Sequence, residues 1–182
     1  MRNETERLVI RPVEASDAAV LAALWSDPEV TRYMGGPRDF EKVREQLMSD
    51  VRAGVFHPFD LWPVVEKATG RVVGDCGLIE KEVDGRVEIE LVYVFAAAAW
   101  GKGYATEAAS AVRDHAFHHL GVQRITALID PANLASARVA EKVGMRFERE
   151  TRRPEDRLMR VYAMQANGEP KRHSSRGASA SL

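Results

Sequence analysis

Several kinds of residue are scarce in this chain of 182 residues, and each scarcity excludes a class of protein. There is one cysteine, Cys76, so the chain has no internal disulfide framework, and we expect a reducing compartment. Acidic and basic residues nearly balance at a net charge of −1, unlike the basic chains that bind nucleic acid. No apolar run approaches the ~20 residues of a membrane helix, and no secretory signal is visible. We therefore expect a cytoplasmic protein without membrane or nucleic-acid partners; the sequence leaves open whether it forms a homodimer.

Length and composition predict one compact domain. With 45% hydrophobic residues, the chain can bury a sizeable core without a second domain. The last stretch, "QANGEPKRHSSRGASASL", is polar, small and slightly basic, and such a composition cannot bury enough apolar surface to fold. We therefore predict a folded domain over residues 1–164 and a flexible polar tail over residues 165–182.

Hydrophobic periodicity predicts an α+β fold. Residues 7–11 alternate as a strand, and Ser16 is the expected N-cap of the helix that follows. Residues 59–95 contain three strands joined by two glycine turns, which is typical of an antiparallel meander. An alanine-rich helix, a strand, a short helix capped by Asn133 and a final hairpin complete the order. We expect three layers, with helices flanking a mixed, mostly antiparallel sheet.

The stretch "WGKGYATEA", residues 100–108, stands between the last meander strand and the alanine-rich helix. A helix N-terminus leaves four N–H groups without partners and carries about half a positive charge. Gly101 and Gly103 let a ligand approach the backbone, and the lysine between them adds positive charge. The stretch therefore predicts a phosphate site rather than a plain tight connection. A P-loop is excluded because Ala96 occupies the place of its first glycine, and a dinucleotide fingerprint fits poorly because Thr106 stands at its third.

Four stretches, in order along the chain, resemble the GNAT superfamily of N-acetyltransferases. They are "TERLVIRPVEASDA", "DPEVTRYMGG", "WGKGYATEA" and "NLASARVAEKVGMRFE". The superfamily signature is Arg or Gln, two residues, Gly, one residue, then Gly or Ala, and its end matches Gly103 and Ala105. The Arg or Gln position falls on Trp100, which is a departure from the signature. The form of the glycine stretch is similar to the branch that contains the ribosomal-protein N-terminal acetyltransferases.

The resemblance implies that acetyl-CoA is the co-substrate. Its diphosphate would lie on the backbone N–H groups of residues 101–106, and its pantetheine arm would run along the strand that ends at Phe95. In the family, the asparagine that matches Asn133 often reaches the same arm; the alternative is a plain N-cap, and the two roles are compatible. The implied acetyl-CoA residues are Tyr93, Val94, Phe95, Trp100, Gly101, Lys102, Gly103, Tyr104, Ala105, Thr106 and Asn133.

Glu90 is the candidate general base. In "RVEIELVYVF" the odd-numbered positions are apolar, so Glu88 and Glu90 share the other face of the strand. An attacking amine must first lose a proton, and the resembled branch carries a carboxylate at the place that matches Glu90. The alternative is a structural ion pair with Arg71 or Arg86.

The general acid is less well defined. Many superfamily members use a tyrosine seven residues after the asparagine, and Ala140 stands there. Ser136 matches a serine that the ribosomal branch carries instead, and its alternative role is that of a polar residue in a first helical turn. Tyr93 and Tyr104 are further candidates, although we expect both to pack in the core.

The resemblance also implies where the acceptor lies. In this superfamily the first helices and the second strand region border the acceptor pocket, which makes Tyr33 and Trp62 the candidate acceptor contacts. No metal is expected, because the three histidines of the alanine-rich helix have no carboxylate or cysteine companion. Cys76 lies in an apolar strand and is interpreted as a core residue rather than an acetyl carrier.

The sequence thus predicts an acetyl-CoA-dependent N-acetyltransferase that acts by direct transfer to a primary amine in a ternary complex. The resembled branch favours a protein N-terminal α-amine as the acceptor, and a small-molecule amine is the alternative. A non-catalytic CoA-binding module is the competing class, since a fold does not fix a function and the usual tyrosine is missing.

Overall fold

The structure is a computed structural model that describes residues 1–54, 57–153 and 156–166. The strands of the described chain are β1 (Asn3–Glu4), β2 (Leu8–Ile10), β3 (Leu61–Glu66), β4 (Val72–Val83), β5 (Arg86–Phe95), β6 (Arg124–Ile129), β7 (Arg146–Arg153) and β8 (Arg157–Gln165). Its α-helices are α1 (Ala18–Ser26), α2 (Pro28–Thr31), α3 (Phe40–Ala53), α4 (Tyr104–His118) and α5 (Leu134–Lys142). No helix in these ranges has both the length and the hydropathy to cross a bilayer. From residue 167 on, the predicted tail lies outside the described residues.

The strands form one sheet in the order β1-β2-β3-β4-β5-β6-β8-β7. Neighbours are antiparallel except for β5 and β6, which are parallel. β3, β4 and β5 are the predicted meander, and β7 with β8 is the predicted final hairpin. The prediction of a mixed, mostly antiparallel α+β fold is therefore confirmed. The sequence does not predict β1, because two residues carry no periodicity.

The predicted cap of the first helix is wrong. A 3₁₀ turn, Ala15–Asp17, precedes α1, and Asp17 Oδ2 accepts the hydrogen bond of Glu14 N–H at 2.8 Å. The same carboxylate is paired with Arg11 Nη1 at 2.6 Å. Ser16 is exposed beside it. A buried carboxylate that forms charge-assisted bonds is a stronger acceptor than an exposed hydroxyl.

The sheet separates two apolar cores. On one face α4 and α5 pack against the odd-numbered side chains of β5, including Leu91. On the other face α1 packs against the even-numbered side chains, including Val94. Ala108, Ala109 and Ala116 of α4 are fully buried, and their small side chains let the helix lie close to the sheet. The alternation predicted for β5 is therefore present.

β5 and β6 are paired at one position, Glu90 with Thr126. Beyond that pair β5 continues to Phe95 and β6 continues to Ile129, but no further residues of the two strands are paired within the described chain. We call the gap between residues 91–95 and residues 127–129 the splay. The splay leaves one edge of β5 available for hydrogen bonds to a ligand.

Candidate active site

A cavity of about 400 Å³ opens at the splay. Its walls come from the end of β5, the loop before α4 with the first turn of α4, one side of α5 along its length, and α2 with the turn after it. Since α4 and α5 cover one sheet face and α2 lies with α1 on the other, the cavity reaches both faces. The structure brings all the predicted acetyl-CoA residues except Lys102 to its lining: Tyr93, Val94, Phe95, Trp100, Gly101, Gly103, Tyr104, Ala105, Thr106 and Asn133.

The glycine loop, residues 100–106, ends in the first turn of α4. Gly101 and Gly103 have φ angles of +75° and +82°, which residues with side chains rarely adopt. The first helical hydrogen bond is donated by Glu107 N–H to the Gly103 carbonyl at 3.1 Å. Within the described chain, no group accepts a hydrogen bond from the N–H groups of residues 101–106. These donors lie at the positive end of the helix dipole, which is the geometry of an anion site.

Trp100 stands where the family signature has Arg or Gln. Its indole N–H donates to the carbonyl of Phe95 at 2.7 Å and so fixes the turn between β5 and the glycine loop. Trp100 at this position holds the turn but, unlike an arginine, supplies no positive charge. Two cations of α5, Arg138 and Lys142, line the same cavity and were missed by the sequence analysis. Arg138 and Lys142 are four residues apart on the helix that Asn133 caps, which places them on the same helix face. This spacing is the sequence signal that could have identified them.

Ser136 and Tyr93 meet across the splay. The Ser136 hydroxyl donates to the Tyr93 hydroxyl at 3.1 Å, and the Tyr93 hydroxyl donates to the Ser136 carbonyl at 2.9 Å. Burial raises the pKa of Tyr93 above its ordinary value, so the phenol keeps its proton. Asn133 is the predicted N-cap of α5, because its Oδ1 accepts from Ser136 N–H at 3.1 Å. In this arrangement the hydroxyl protons of Ser136 and Tyr93 are both donated in hydrogen bonds within the protein.

Glu90 is buried, with 6% of its surface exposed, on the sheet face that α1 covers. Its Oε2 lies 2.9 Å from Lys81 Nζ, as an ion pair without the angles of a hydrogen bond, and its Oε1 accepts from Leu128 N–H at 3.3 Å. The charged partner is therefore Lys81 and neither of the arginines considered from the sequence. Glu90 is not among the residues that line the cavity.

The two predicted acceptor contacts are separated by the fold. Tyr33 lines the cavity, and its carbonyl accepts a hydrogen bond from Arg157. Trp62 is 3% exposed in the core under α4, where its ring meets His115 edge-on at 6.2 Å. Trp62 therefore lies on the face of β3 that α4 covers and does not line the cavity, so its predicted role as an acceptor contact is wrong. His115 also stacks on His119 at 5.1 Å between ring centres.

Two buried side chains lie next to each other on β4. Cys76 is fully buried, and burial raises the pKa of its thiol well above the ordinary value. Asp75 is 4% exposed; its Oδ2 accepts from Trp25 Nε1 at 3.1 Å, while its Oδ1 has no hydrogen-bond partner in the described ranges. Burial raises the pKa of Asp75 to about 6. Neither side chain lines the cavity.

The chain matches the family model described as acetyltransferase (GNAT) domain over residues 7–146. It belongs to the GNAT acetyltransferase family. The uncharacterised N-acetyltransferase p20 from Bacillus licheniformis is 34% identical over 165 residues, which are 87% of this chain and 91% of p20. The GNAT-family acetyltransferase from Bacillus anthracis has a similar crystal structure, with a TM-score of 0.77, 28% identity, and coverage of 91% of this chain and 99% of that one.

A spermidine N-acetyltransferase from Vibrio cholerae, solved with CoA and spermine, shares the fold at a TM-score of 0.73. Its identity is 16%, with coverage of 89% of this chain and 97% of that one, so the likeness concerns the fold alone. This GNAT chain is an N-acetyltransferase by its family and relatives. Its cavity extends from the glycine loop on one face of the sheet to α2 on the other.

Proposed function

We propose that this GNAT acetyltransferase moves an acetyl group from acetyl-CoA directly to a primary amine, with both substrates bound together. The observation that carries the proposal is the cavity at the splay, because it reaches both sheet faces. The donor enters on the side of α4 and α5, the acceptor on the side of α2, and the thioester meets the amine between β5 and β6. A route through an acetylated Cys76 is disfavoured, because the buried thiol stays protonated.

The glycine loop binds the diphosphate of acetyl-CoA in this proposal. The N–H groups of residues 101–106 and the dipole of α4 stabilise the anion. Arg138 and Lys142 add positive charge at the cavity wall. The amides of the pantetheine arm bond to the edge of β5 that the splay leaves open. Asn133 uses its oxygen as the N-cap, and in this proposal its amide N–H groups donate to the arm.

Glu90 accepts the proton of the acceptor amine. Tyr93, the nearest lining residue of β5, is three positions further along the strand, which is about 10 Å, so the proton passes through water. The neutral amine attacks the thioester carbonyl, the C–N bond forms, and the C–S bond breaks with its electron pair on sulfur. After the attack the nitrogen loses a second proton, which balances the charge of the departing thiolate, while the first proton stays with Glu90 or passes to solvent.

A protein N-terminal α-amine is the acceptor class that we propose. An α-amino group has an ordinary pKa near 8, against about 10.4 for a lysine side chain, so more of it is neutral at pH 7. A base that acts through water is sufficient for such an amine. The likeness of "WGKGYATEA" to the ribosomal-protein branch supports the same class.

The test is mass spectrometry of a mixed acceptor library after incubation with the enzyme and acetyl-CoA. The library contains peptides with free N-termini, N-terminally blocked peptides with one lysine, polyamines, amino acids and aminoglycosides. We expect acetyl groups on the free α-amines. Acetylation confined to polyamines or aminoglycosides would replace the acceptor class, and the absence of any acetylated product or released thiol would contradict the proposal.

A further inference from the structure

Two stretches far apart in sequence meet at the glycine loop. Arg7, in the turn between β1 and β2, donates from Nη1 to the carbonyl of Lys102 at 2.9 Å across 95 residues. Its Nε and Nη2 lie 2.8 and 2.7 Å from Glu107 Oε2. Glu107 Oε1 accepts from the Thr5 hydroxyl at 2.6 Å and from Arg7 N–H at 2.9 Å. One arginine therefore joins the backbone of the loop to the first turn of α4.

The contact with the Lys102 carbonyl fixes the direction of the next N–H group. In a trans peptide the C=O and the N–H point in opposite directions. Because Arg7 holds the carbonyl, the N–H of Gly103 points away from Arg7. A glycine with φ of +82° resists rotation of this peptide only weakly, so an external contact has to set its orientation.

Arg7 also neutralises a charge that opposes anion binding. Glu107 lies in the first turn of α4, where a carboxylate competes with a bound phosphate for the positive end of the helix. Its side chain is 17% exposed, accepts from Nε of the guanidinium and from the Thr5 hydroxyl, and forms an ion pair with Nη2. The neutral Trp100 at the signature position cannot make this compensation.

We propose that Arg7, held by Glu107, is a positioning residue for the coenzyme diphosphate. It orients the Lys102–Gly103 peptide and cancels the negative charge at the start of α4. This inference rests on the proposed function, in which residues 101–106 bind acetyl-CoA. Lys67 is the natural control: its Nζ holds the same N-terminal hairpin, at 2.7 Å from the Thr5 carbonyl and 3.3 Å from Glu4, and in the described part of the chain no hydrogen bond or ion pair joins this Nζ to the glycine loop.

The experiment compares wild type, Arg7→Met and Lys67→Met, each checked for a cooperative thermal transition. Calorimetry gives the Kd for CoA, and we expect Arg7→Met to bind about tenfold more weakly, the size of a lost charge-assisted hydrogen bond, with Lys67→Met unchanged. In protein labelled with ¹⁵N-glycine, inorganic pyrophosphate is added as the probe. At one pyrophosphate concentration near the wild-type Kd, the amide signals of Gly101 and Gly103 should move equally in wild type and Lys67→Met and clearly less in Arg7→Met.

The outcomes separate this inference from the proposed function. Wild type that binds no CoA overturns the proposed function, and the role of Arg7 with it. Wild type that binds CoA, together with an Arg7→Met variant of equal affinity, overturns the role of Arg7 alone. An equal loss in Lys67→Met, or pyrophosphate signals that do not move in wild type, also overturns it. Should Arg7→Met fail to fold, Arg7→Lys is measured the same way, since lysine keeps the charge but lacks the fork that reaches both partners.

Discussion

The proposed donor side and the proposed acceptor side of the cavity are built in different ways. The donor side consists of two short segments, residues 93–106 and residues 133–142, whose turns and helix caps form from neighbouring residues. On the acceptor side, Tyr33 is held by Arg157, which lies 124 residues later and also binds Asp130 Oδ2 at 3.2 Å. The proposed donor side is therefore built mainly from local sequence, with Arg7 as its long-range contact, whereas the proposed acceptor side depends on tertiary contacts throughout.

The two sides also differ in charge. The donor side presents backbone N–H groups with Arg138 and Lys142. The sheet face on the acceptor side carries two buried carboxylates, Glu90 and Asp75. Substitutions on the donor side should therefore change the affinity for CoA, and substitutions on the acceptor face should change turnover, acceptor affinity or the response to pH.

The largest effect is expected at Glu90. Glu90→Gln keeps the shape and removes the basic carboxylate, and loss of a general base lowers turnover by ~10²–10⁴-fold. CoA affinity by calorimetry should be unchanged. Glu88→Gln is the control on the same strand face, because Glu88 is paired with Arg124 at 3.0 Å and lies farther from the splay. Turnover equal to wild type in Glu90→Gln would show that its carboxylate is structural.

Asp75 should set a pH dependence of stability. Burial raises its pKa to about 6 in the folded chain, above the ordinary value near 3.9, so the folded state binds the proton more tightly. Stability is then lost as pH rises from about 4 through 6, by up to about 3 kcal/mol for two pKa units. Asp75→Asn keeps an acceptor for Trp25 and does not ionise. Urea unfolding should show the variant gaining on wild type between pH 4 and pH 7; a constant difference would contradict the assignment.

Gly101→Val tests the donor side against a matched glycine. Gly101 and Gly85 both have φ of +75°, and a Cβ at either would meet no atom within 4 Å. Gly85 is in the turn at the opposite end of β5, so both valines carry similar backbone strain. We expect CoA to bind at least about tenfold more weakly to Gly101→Val, and normally to Gly85→Val, by calorimetry. Equal affinities in the two folded variants would remove the glycine loop from the CoA site.

Arg157→Met tests the acceptor side. Loss of the contacts to Tyr33 and Asp130 should raise the acceptor KM about fivefold, the size of a lost hydrogen bond, with CoA affinity unchanged. Arg160→Met is the control on the same strand, since Arg160 pairs loosely with Glu150 at 3.6 Å. A change in CoA affinity, or the same KM in both variants, would mean that Arg157 does not organise the acceptor side.

The sequence predicts the fold well, and it marks the glycine loop, because both follow from local patterns. Alternation assigns the two faces of β5, and the glycine stretch marks the start of α4. The partner of Glu90 was not predictable. Lys81 lies diagonally across from it, two residues beyond Ile79 in the register of β4 and β5, and that register is set by tertiary pairing.

Trp62 and Arg7 also show that the sequence does not predict long-range contacts: Trp62 was assigned to the cavity and lies outside it, whereas Arg7 was not singled out and contacts the glycine loop. An aromatic residue in a strand can face either side of a sheet, and β3 turns Trp62 into the core under α4. Arg7 is one arginine among many until the edge hairpin brings it to Lys102 and Glu107. Periodicity assigns elements and faces, but contacts across 95 residues emerge only when the sheet is assembled.

The smallest effect is expected at Ser136, where the two sides meet. Its hydroxyl proton is engaged by Tyr93, whose own proton is engaged by the Ser136 carbonyl, so neither is free for the thiolate without rearrangement. A thiol has an ordinary pKa near 8.5, so the leaving sulfur needs little protonation near neutral pH. We therefore expect turnover in Ser136→Ala within about threefold of wild type, because a general acid whose proton is not needed contributes far less than the usual 10²–10⁴-fold. Cys76→Ala should behave in the same way, as a buried residue outside the transfer route.

Steady-state kinetics of both variants test whether either side chain takes part in the transfer. A hundredfold loss in Ser136→Ala would make its hydroxyl the general acid. An inactive Cys76→Ala, together with an acetylated Cys76 trapped by rapid quench, would replace direct transfer with a covalent intermediate.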